Sequence, residues 1–329
     1  MYTKRENFLR TVEGNGPDRL VNGFEAFALF PHPFLRIDRE GVVPAPRGAY
    51  YKDTWGTTFV FPEGQPGPVP VVTPEARVIS DIARWREELI VPDCDRRDLD
   101  WDGIRDFFGR VDRSEQFTAT ELNCGLFERT HNLMGFEDAL TNLLLRPDEM
   151  HALLDVLLEA RIDLARRIID ECAPEVIISH DDFGAKETMF MSPKVWRTFF
   201  KERYRKLYGC MAERGVFVVH HGDSFQEPIA ADMAEIGIRV WQGAIPSNDI
   251  LALQKALDGA MTLMGGIAMD KIDVEDWSEA AVRTETRRAC ELYGPGGFFI
   301  PSITYGGPRS IYPGVNETIM DEVARYNGE

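Results

Sequence analysis

From about residue 115 onward, short apolar runs alternate with longer amphipathic segments. The runs are Phe117–Leu122, Val176–Ser179, Val216–Val219, Ile238–Trp241, Met261–Met264 and Phe298–Ile300. Most of them are apolar throughout, which is typical of strands that are buried on both faces in a parallel sheet. Between them, apolar residues recur at helical spacing, as in Met150, Leu153, Leu154 and Leu157. The alternation of strands with helices predicts an α/β fold.

The number of these units and the length of 329 residues favour a (β/α)8 TIM barrel. An open doubly wound sheet is the alternative, but no G-x-G-x-x-G motif follows a predicted strand. Before residue 115 the chain is rich in proline and glycine around two β-like runs, Thr57–Phe61 and Val69–Val72. We therefore expect one barrel domain over residues 1–329, with an N-terminal hairpin region that elaborates it over about residues 1–115.

The net charge, the longest uncharged stretch and the cysteines argue against several classes of protein. The chain has 37 basic and 54 acidic residues, a net charge of −17, which opposes binding to nucleic-acid phosphates. Glycines and prolines break its longest uncharged stretch, Leu292 to Pro308, so we expect no membrane helix. The first nine residues lack the apolar segment of a secretion signal, and the five cysteines include no C-x-x-C pair. These features predict a cytoplasmic protein with reduced thiols.

Polar residues cluster after two of the predicted strands. They are His180, Asp181, Asp182, His220, His221 and Asp223. The carboxyl ends of barrel strands converge on one pocket, where imidazole and carboxylate groups can bind a metal or divide acid and base roles. Successive strand residues point to opposite faces, so we expect one of each adjacent Asp and His pair to be structural. The alternative is that the aspartates only cap the following helix.

Four further residues are candidates for substrate contact. Glu25 is either a pocket acid at the end of the first strand or an ordinary loop charge. Trp241 offers an aromatic wall, although a tryptophan at a strand end also suits the core, and Gln242 offers an amide contact. Tyr305, which precedes two glycines, is a candidate for a mobile pocket residue.

Several segments, in this order, resemble the uroporphyrinogen decarboxylase superfamily. They are Lys4–Leu9 with Gly16–Arg19, Asp53–Thr57, Gly125–Arg129 with Leu133–Glu137, Asp181–Gly184 with Met191–Pro193, and His220–Asp223. The resemblance implies a (β/α)8 barrel, commonly a homodimer, with its pocket at the strand carboxyl ends. It also implies one of two activities: cofactor-free decarboxylation of a porphyrinogen, or methyl transfer that involves a corrinoid protein and a zinc ion.

Departures from the family pattern separate these activities. The decarboxylases carry arginines near the N-terminus that bind substrate carboxylates, whereas this chain has Asn22–Glu25 there. The methyltransferases carry a His-x-Cys zinc motif with a later cysteine. When the sequences are aligned on Gly222, Val219 and His221 occupy the motif positions, and the later cysteine falls near residues 303 and 304. A thiolate-rich site is therefore absent.

The resemblance then predicts a methyltransferase that moves a methyl group from a small O-methylated substrate to a corrinoid protein. We expect His180, Asp181, Asp182 and His220 to be catalytic. A divalent metal such as zinc would be held by nitrogen and oxygen ligands, namely His221, Asp182 and Asp223. One alternative is a cofactor-free decarboxylase or lyase that acts on a carboxylated small molecule. Another is a non-catalytic binder of tetrapyrroles or other small ligands.

Overall fold

A computed structural model describes residues 1–35, 48–63, 68–94, 99–304 and 312–329. The strands are β1 (Phe27–Leu29), β2 (Tyr50–Lys52), β3 (Thr58–Val60), β4 (Val69–Pro70), β5 (Phe117–Leu122), β6 (Val176–His180), β7 (Phe217–His221), β8 (Val240–Ala244), β9 (Thr262–Gly266) and β10 (Phe299–Ser302). The helices are α1 (Lys4–Glu13), α2 (Trp85–Glu88), α3 (Asp102–Gly109), α4 (Leu126–Met134), α5 (Phe136–Leu145), α6 (Pro147–Cys172), α7 (Pro193–Trp196), α8 (Glu202–Ala212), α9 (Ala230–Glu235), α10 (Ile250–Leu257), α11 (Met269–Ile272), α12 (Glu279–Tyr293) and α13 (Val315–Asn327). Short 3₁₀ turns cover Pro33–Leu35, Ile82–Arg84, Glu227–Ile229 and Gly294–Gly296, and a π-helical turn covers Arg197–Lys201.

Seven parallel strands form the main sheet, in the order β1-β5-β6-β7-β8-β9-β10. Each strand from β5 onward pairs with its sequence neighbour, and helices lie between consecutive strands. The predicted strand Phe117–Leu122 is reproduced, and the other five predicted runs shift by at most a few residues. The barrel fold is thereby confirmed. β1 also pairs with β5, so part of the N-terminal 115 residues belongs to the barrel itself.

The barrel interior is filled by side chains from all seven strands. They are Phe27, Phe117, Ala119, Val176, Ile178, Val219, Val240, Met264 and Ile300, which form one buried cluster. Phe8 and Val12 of α1 join this cluster, so that helix lies across the amino-terminal end of the barrel. Every second strand residue points inward, as in other barrels of this size. The interior is therefore a packed core, and the open end is at the strand carboxyl termini.

The last and first segments of the chain are joined by paired hydrogen bonds. The Asn327 side chain accepts from the Leu20 backbone N–H and donates to the Leu20 carbonyl, each at 3.0 Å. Arg19 also pairs with Glu329 at 2.9 Å. These contacts hold α13 against the segment that leads into β1.

The outer helices follow the predicted signals. Ser192 caps α7, because its side chain accepts from the Val195 N–H and Pro193 occupies the first turn. The periodic segment around Met150 lies in the 26-residue helix α6. The hairpin region forms an antiparallel sheet of β2, β3 and β4. Within the described ranges, no helix combines the length and apolar character that a membrane crossing requires.

Candidate functional site

Strand alternation sorts the predicted residues onto two faces of the sheet. Ile178 and Val219 belong to the interior cluster, so His180 and His221, two residues further along β6 and β7, also face inward. His220 points to the outer side, against the helices. The adjacent residues His220 and His221 therefore lie on opposite faces of the sheet.

Three inward-facing side chains form a compact group, which we call the inner cluster: Glu128, His180 and Asp182. The His180 Nε2 lies 3.3 Å from Asp182 Oδ2 and 3.6 Å from Glu128 Oε1. Their side chains are 26, 22 and 16% exposed for His180, Asp182 and Glu128, respectively. By contrast, Asp181 and His220 are 0 and 1% exposed. The inner cluster is therefore more accessible to a substrate than Asp181 or His220.

Glu128 reaches the inner cluster from the first turn of α4. Its Oε2 accepts from the Gly125 backbone N–H at 3.2 Å, which fixes the side chain over the start of the helix. Asp182 is fixed in a similar way, because its Oδ1 accepts from the Asp223 N–H at 2.8 Å and from the Ser224 hydroxyl at 3.2 Å. Both carboxylates are therefore held in place before any ligand binds.

The charges of the inner cluster stabilise one another. Burial lowers the pKa of His180, but Glu128 and the hydrogen-bonded Asp182 outweigh burial and raise it to about 10. Burial raises the pKa of Asp182, but the hydrogen bond and the charge of His180 hold it well below its usual range. Burial and the charge of Asp182 raise the pKa of Asp223 to about 8. At neutral pH the site contains an imidazolium between carboxylates.

His221 has the opposite character, although its ring is only 4.3 Å from that of His180. Burial and the positive charge of His180 lower its pKa to about 4. Its Nδ1 is hydrogen-bonded to the side-chain oxygen of Gln242. The two inward-facing histidines thus offer one acid and one base, and divergent pKa values are typical of acid–base pairs in enzymes.

Asp181 lies on the outer side and organises the start of α4. It accepts from the backbone N–H groups of Phe127 and Glu128, each at 2.9 Å, and from the Tyr204 hydroxyl at 2.5 Å. A side chain at Gly125 would overlap its carboxyl group, so this close approach requires glycine. Burial and the charge of Glu128 raise its pKa to about 7. Asp181 therefore holds the helix turn that carries Glu128, and its catalytic role stays a prediction.

His220 is also an outer, structural residue. Its Nδ1 lies 2.9 Å from the Tyr208 hydroxyl, and its ring is parallel to that of Phe183 with centroids 6.3 Å apart. Burial and the proximity of His221 lower its pKa to about 3. It therefore has the character of a neutral core histidine, and its catalytic role stays a prediction.

The structure describes three of the four residues that were predicted to contact a substrate. Glu25 precedes β1, at the opposite end of the strands from the inner cluster, and pairs with Arg19 at 2.7 Å. Trp241 is fully buried in the outer layer, where its Nε1 donates to the Gly222 carbonyl at 2.8 Å. Glu25 is thus an ion-paired turn residue and Trp241 a core residue, which agrees with the alternatives that the sequence left open, and their substrate contacts stay predictions. Gln242 is inward-facing but contacts His221, and Tyr305 lies outside the described residues.

Two acidic residues of the pocket escaped the sequence analysis. Glu128 follows β5 by way of a short loop, and Glu121 lies on β5 two residues after the inward-facing Ala119. Both lie in or shortly after the predicted strand Phe117–Leu122, at the strand end where site residues are expected. Glu128 lies beside His180, and Glu121 lies close enough to His221 to interact with it electrostatically.

The inner cluster fits a divalent cation. One ligand atom from each of its three side chains lies within 4.8 Å of the others. Two zinc–ligand bonds of about 2.0–2.2 Å at a tetrahedral angle span about 3.4 Å, close to the distances from the His180 Nε2 to the Asp182 and Glu128 oxygens. The donors are nitrogen and oxygen, as expected. The predicted ligands were His221, Asp182 and Asp223, and of these only Asp182 belongs to the inner cluster.

Residues 114–326 match the model of the uroporphyrinogen decarboxylase (URO-D) family. The chain belongs to this family. Among solved structures, it is similar to a methyltransferase from Methanosarcina mazei, with 16% identity, coverage of 99% of each chain and a TM-score of 0.64, which supports the barrel fold. A sugar phosphate isomerase/epimerase from Parabacteroides distasonis is 8% identical over 72% of this chain and 80% of its own, with a TM-score of 0.34. No curated protein matches the chain.

Proposed function

We propose that this URO-D family member is a methyltransferase that transfers a methyl group from a small O-methylated compound to a corrinoid protein. The observation that carries the proposal is the inner cluster, where His180 lies between Glu128 and Asp182. The cluster holds the positive charge of His180 between two carboxylates that are already fixed in place. Such a group polarises the oxygen that leaves when a methyl ether is cleaved.

The reaction breaks the C–O bond of the substrate and forms a bond between the methyl carbon and Co(I), which supplies the electron pair. The leaving oxygen must then gain a proton or a positive partner. In the metal-free protein, the imidazolium of His180 meets this need. A divalent ion held by Glu128, His180 and Asp182 would supply Lewis-acid polarisation at the same place.

The remaining residues of the pocket prepare this chemistry. Asp181 fixes the first turn of α4 and thereby Glu128. The carboxylates Glu121, Glu128 and Asp182 favour an uncharged ether over an anionic substrate. A corrinoid protein as methyl acceptor and a homodimeric assembly belong to the same proposal.

The test is direct methylation of free cob(I)alamin. The purified protein is incubated with cob(I)alamin and one methyl donor, either methanol or a methoxybenzene. Formation of methylcobalamin is followed by its visible absorbance. Enzyme-dependent methylcobalamin supports the proposal. Metal analysis of the same sample determines which form of the inner cluster operates: a stoichiometric divalent ion should be lost in Asp182→Asn and retained in His220→Gln.

A second candidate is cofactor-free decarboxylation, which is favoured by the raised pKa of Asp223. A carboxyl group that stays protonated at neutral pH next to Asp182 can donate a proton to the carbon that loses CO₂. Release of CO₂ from carboxylic acids by the metal-free protein, with no methylation of cob(I)alamin by any ether, would support this candidate and contradict methyl transfer.

A further inference from the structure

The side chain of Gln242 links the inner face of β7 to the segment after β10. Its Nε2 lies 2.7 Å from the Thr304 carbonyl oxygen and 3.5 Å from that of Ile303. Its Oε1 contacts Nδ1 of His221. Gln242 is 1% exposed, so water does not compete for these contacts.

The backbone carbonyls determine the positions of the nitrogen and the oxygen in the side-chain amide of Gln242. Carbonyl oxygens only accept hydrogen bonds, so the NH₂ end of Gln242 must face Thr304. The opposite orientation would place two acceptors, the amide oxygen and the Thr304 carbonyl oxygen, against each other in a buried site. Oε1 must therefore be the atom that faces His221.

The amide in turn determines where the hydrogen of His221 sits. Because Oε1 is only an acceptor, Nδ1 of His221 must carry the hydrogen. A neutral imidazole has one N–H, so Nε2 retains a lone pair. Within the described parts of the chain, no hydrogen bond to this Nε2 is found, and the ring packs against His180 at 4.3 Å.

We propose that Gln242 is a positioning residue, which holds His221 as the Nδ1–H tautomer and keeps the Nε2 lone pair available beside the inner cluster. The lone pair would serve a divalent cation or a protic group of the substrate. Histidines that bind metals are commonly oriented by a hydrogen bond at the other ring nitrogen. The use of the lone pair rests on the proposed function, whereas the tautomer is a property of the resting protein.

The test is ¹⁵N NMR of the histidine side chains at neutral pH, without substrate or added metal. The chain has six histidines, and the His221 signals are assigned by their loss in His221→Gln. In the native protein, Nδ1 of His221 should show the shift of a protonated ring nitrogen and Nε2 that of an unprotonated one. In Gln242→Leu, both shifts should move toward the Nε2–H tautomer.

Two variants separate positioning from general destabilisation. Gln242→Met replaces the amide with an apolar side chain of similar length, so it also removes the acceptor for Nδ1–H and should move the His221 shifts as Gln242→Leu does. Trp241→Phe alters the neighbouring residue on the outer face and should leave the His221 signals unchanged. A protonated Nε2 in the native protein, or an unchanged tautomer in Gln242→Leu, would overturn the proposal. Neither result depends on methyl transfer, so failure of the proposed function would be seen separately in the cob(I)alamin assay.

Discussion

The two faces of β6 and β7 carry the same residue types with opposite properties. On the inner face, His180 and Asp182 are partly accessible and charged, and each stabilises the charged form of the other. On the outer face, Asp181 and His220 are buried among helices, and they are hydrogen-bonded to the hydroxyl groups of Tyr204 and Tyr208, respectively. Adjacent residues thus differ in role because the strand turns them toward different surroundings. A side chain that reacts with a substrate must be accessible to it, whereas a side chain that stabilises the fold can be fully buried.

The largest expected effect is on the inner face. In Asp182→Asn, loss of the negative charge removes a partner of His180, while the amide oxygen still accepts from the Asp223 N–H. We expect methyl transfer to cob(I)alamin to fall about 10²–10⁴-fold, the usual range for loss of an acid–base group. Urea denaturation should show a change in the unfolding free energy of only about 1 kcal/mol. A rate within a few-fold of native would contradict the inner-face assignment.

Asp181→Asn is the matched variant on the outer face. An amide offers only one oxygen to the three donors that Asp181 satisfies, and one buried donor is left opposed by NH₂. We expect the unfolding free energy to fall by about 2–4 kcal/mol. Rates are compared per folded molecule, and a loss as large as that of Asp182→Asn without destabilisation would contradict a structural role.

His220 should make the fold sensitive to acid. Its pKa is about 3 in the folded protein and 6.5 in its ordinary state, so between these values the unfolded chain binds a proton that the folded chain does not. Stability therefore falls as pH drops below 6.5, by about 1.4 kcal/mol per pH unit from this residue. Between pH 7 and 5, His220→Gln should lose about 2 kcal/mol less than the native protein in urea denaturation. Equal losses in the two proteins would show that His220 is not held neutral.

The smallest effect is expected at the other end of the barrel. Glu25→Gln weakens the pair with Arg19, which keeps Glu329 as a partner. We expect a loss of about 1 kcal/mol in unfolding free energy and an unchanged rate of methyl transfer. A rate loss comparable to that of Asp182→Asn would show that Glu25 takes part in the reaction after all.

Strand positions could be predicted because buried parallel strands appear as short apolar runs. The same property makes it impossible to tell from the sequence which residues of each strand face the barrel interior. Both faces of a barrel strand are buried, so Val176–Ser179 shows no alternation of polar and apolar residues. The pairs Asp181/Asp182 and His220/His221 were therefore recognised as split, but the sequence could not assign the faces.

Glu25 and Glu128 were difficult to place from the sequence for different physical reasons. The sequence left open whether Glu25 is a pocket acid or a loop charge, because a three-residue strand gives a weak signal, and β1 begins two residues after it. Glu128 lies in the first turn of a helix, where acidic residues are common because of the helix dipole. Only the contact of α4 with the end of β6 brings it to His180.

The most direct test compares His180→Gln with His220→Gln in the cob(I)alamin assay, with the rate divided by the folded fraction. The two variants remove one imidazole from the inner face and one from the outer face of neighbouring strands. We expect His180→Gln to lose at least about 100-fold in rate and His220→Gln to stay within about fivefold of native. Equal losses, or a larger loss in His220→Gln, would contradict the division between a chemical inner face and a structural outer face.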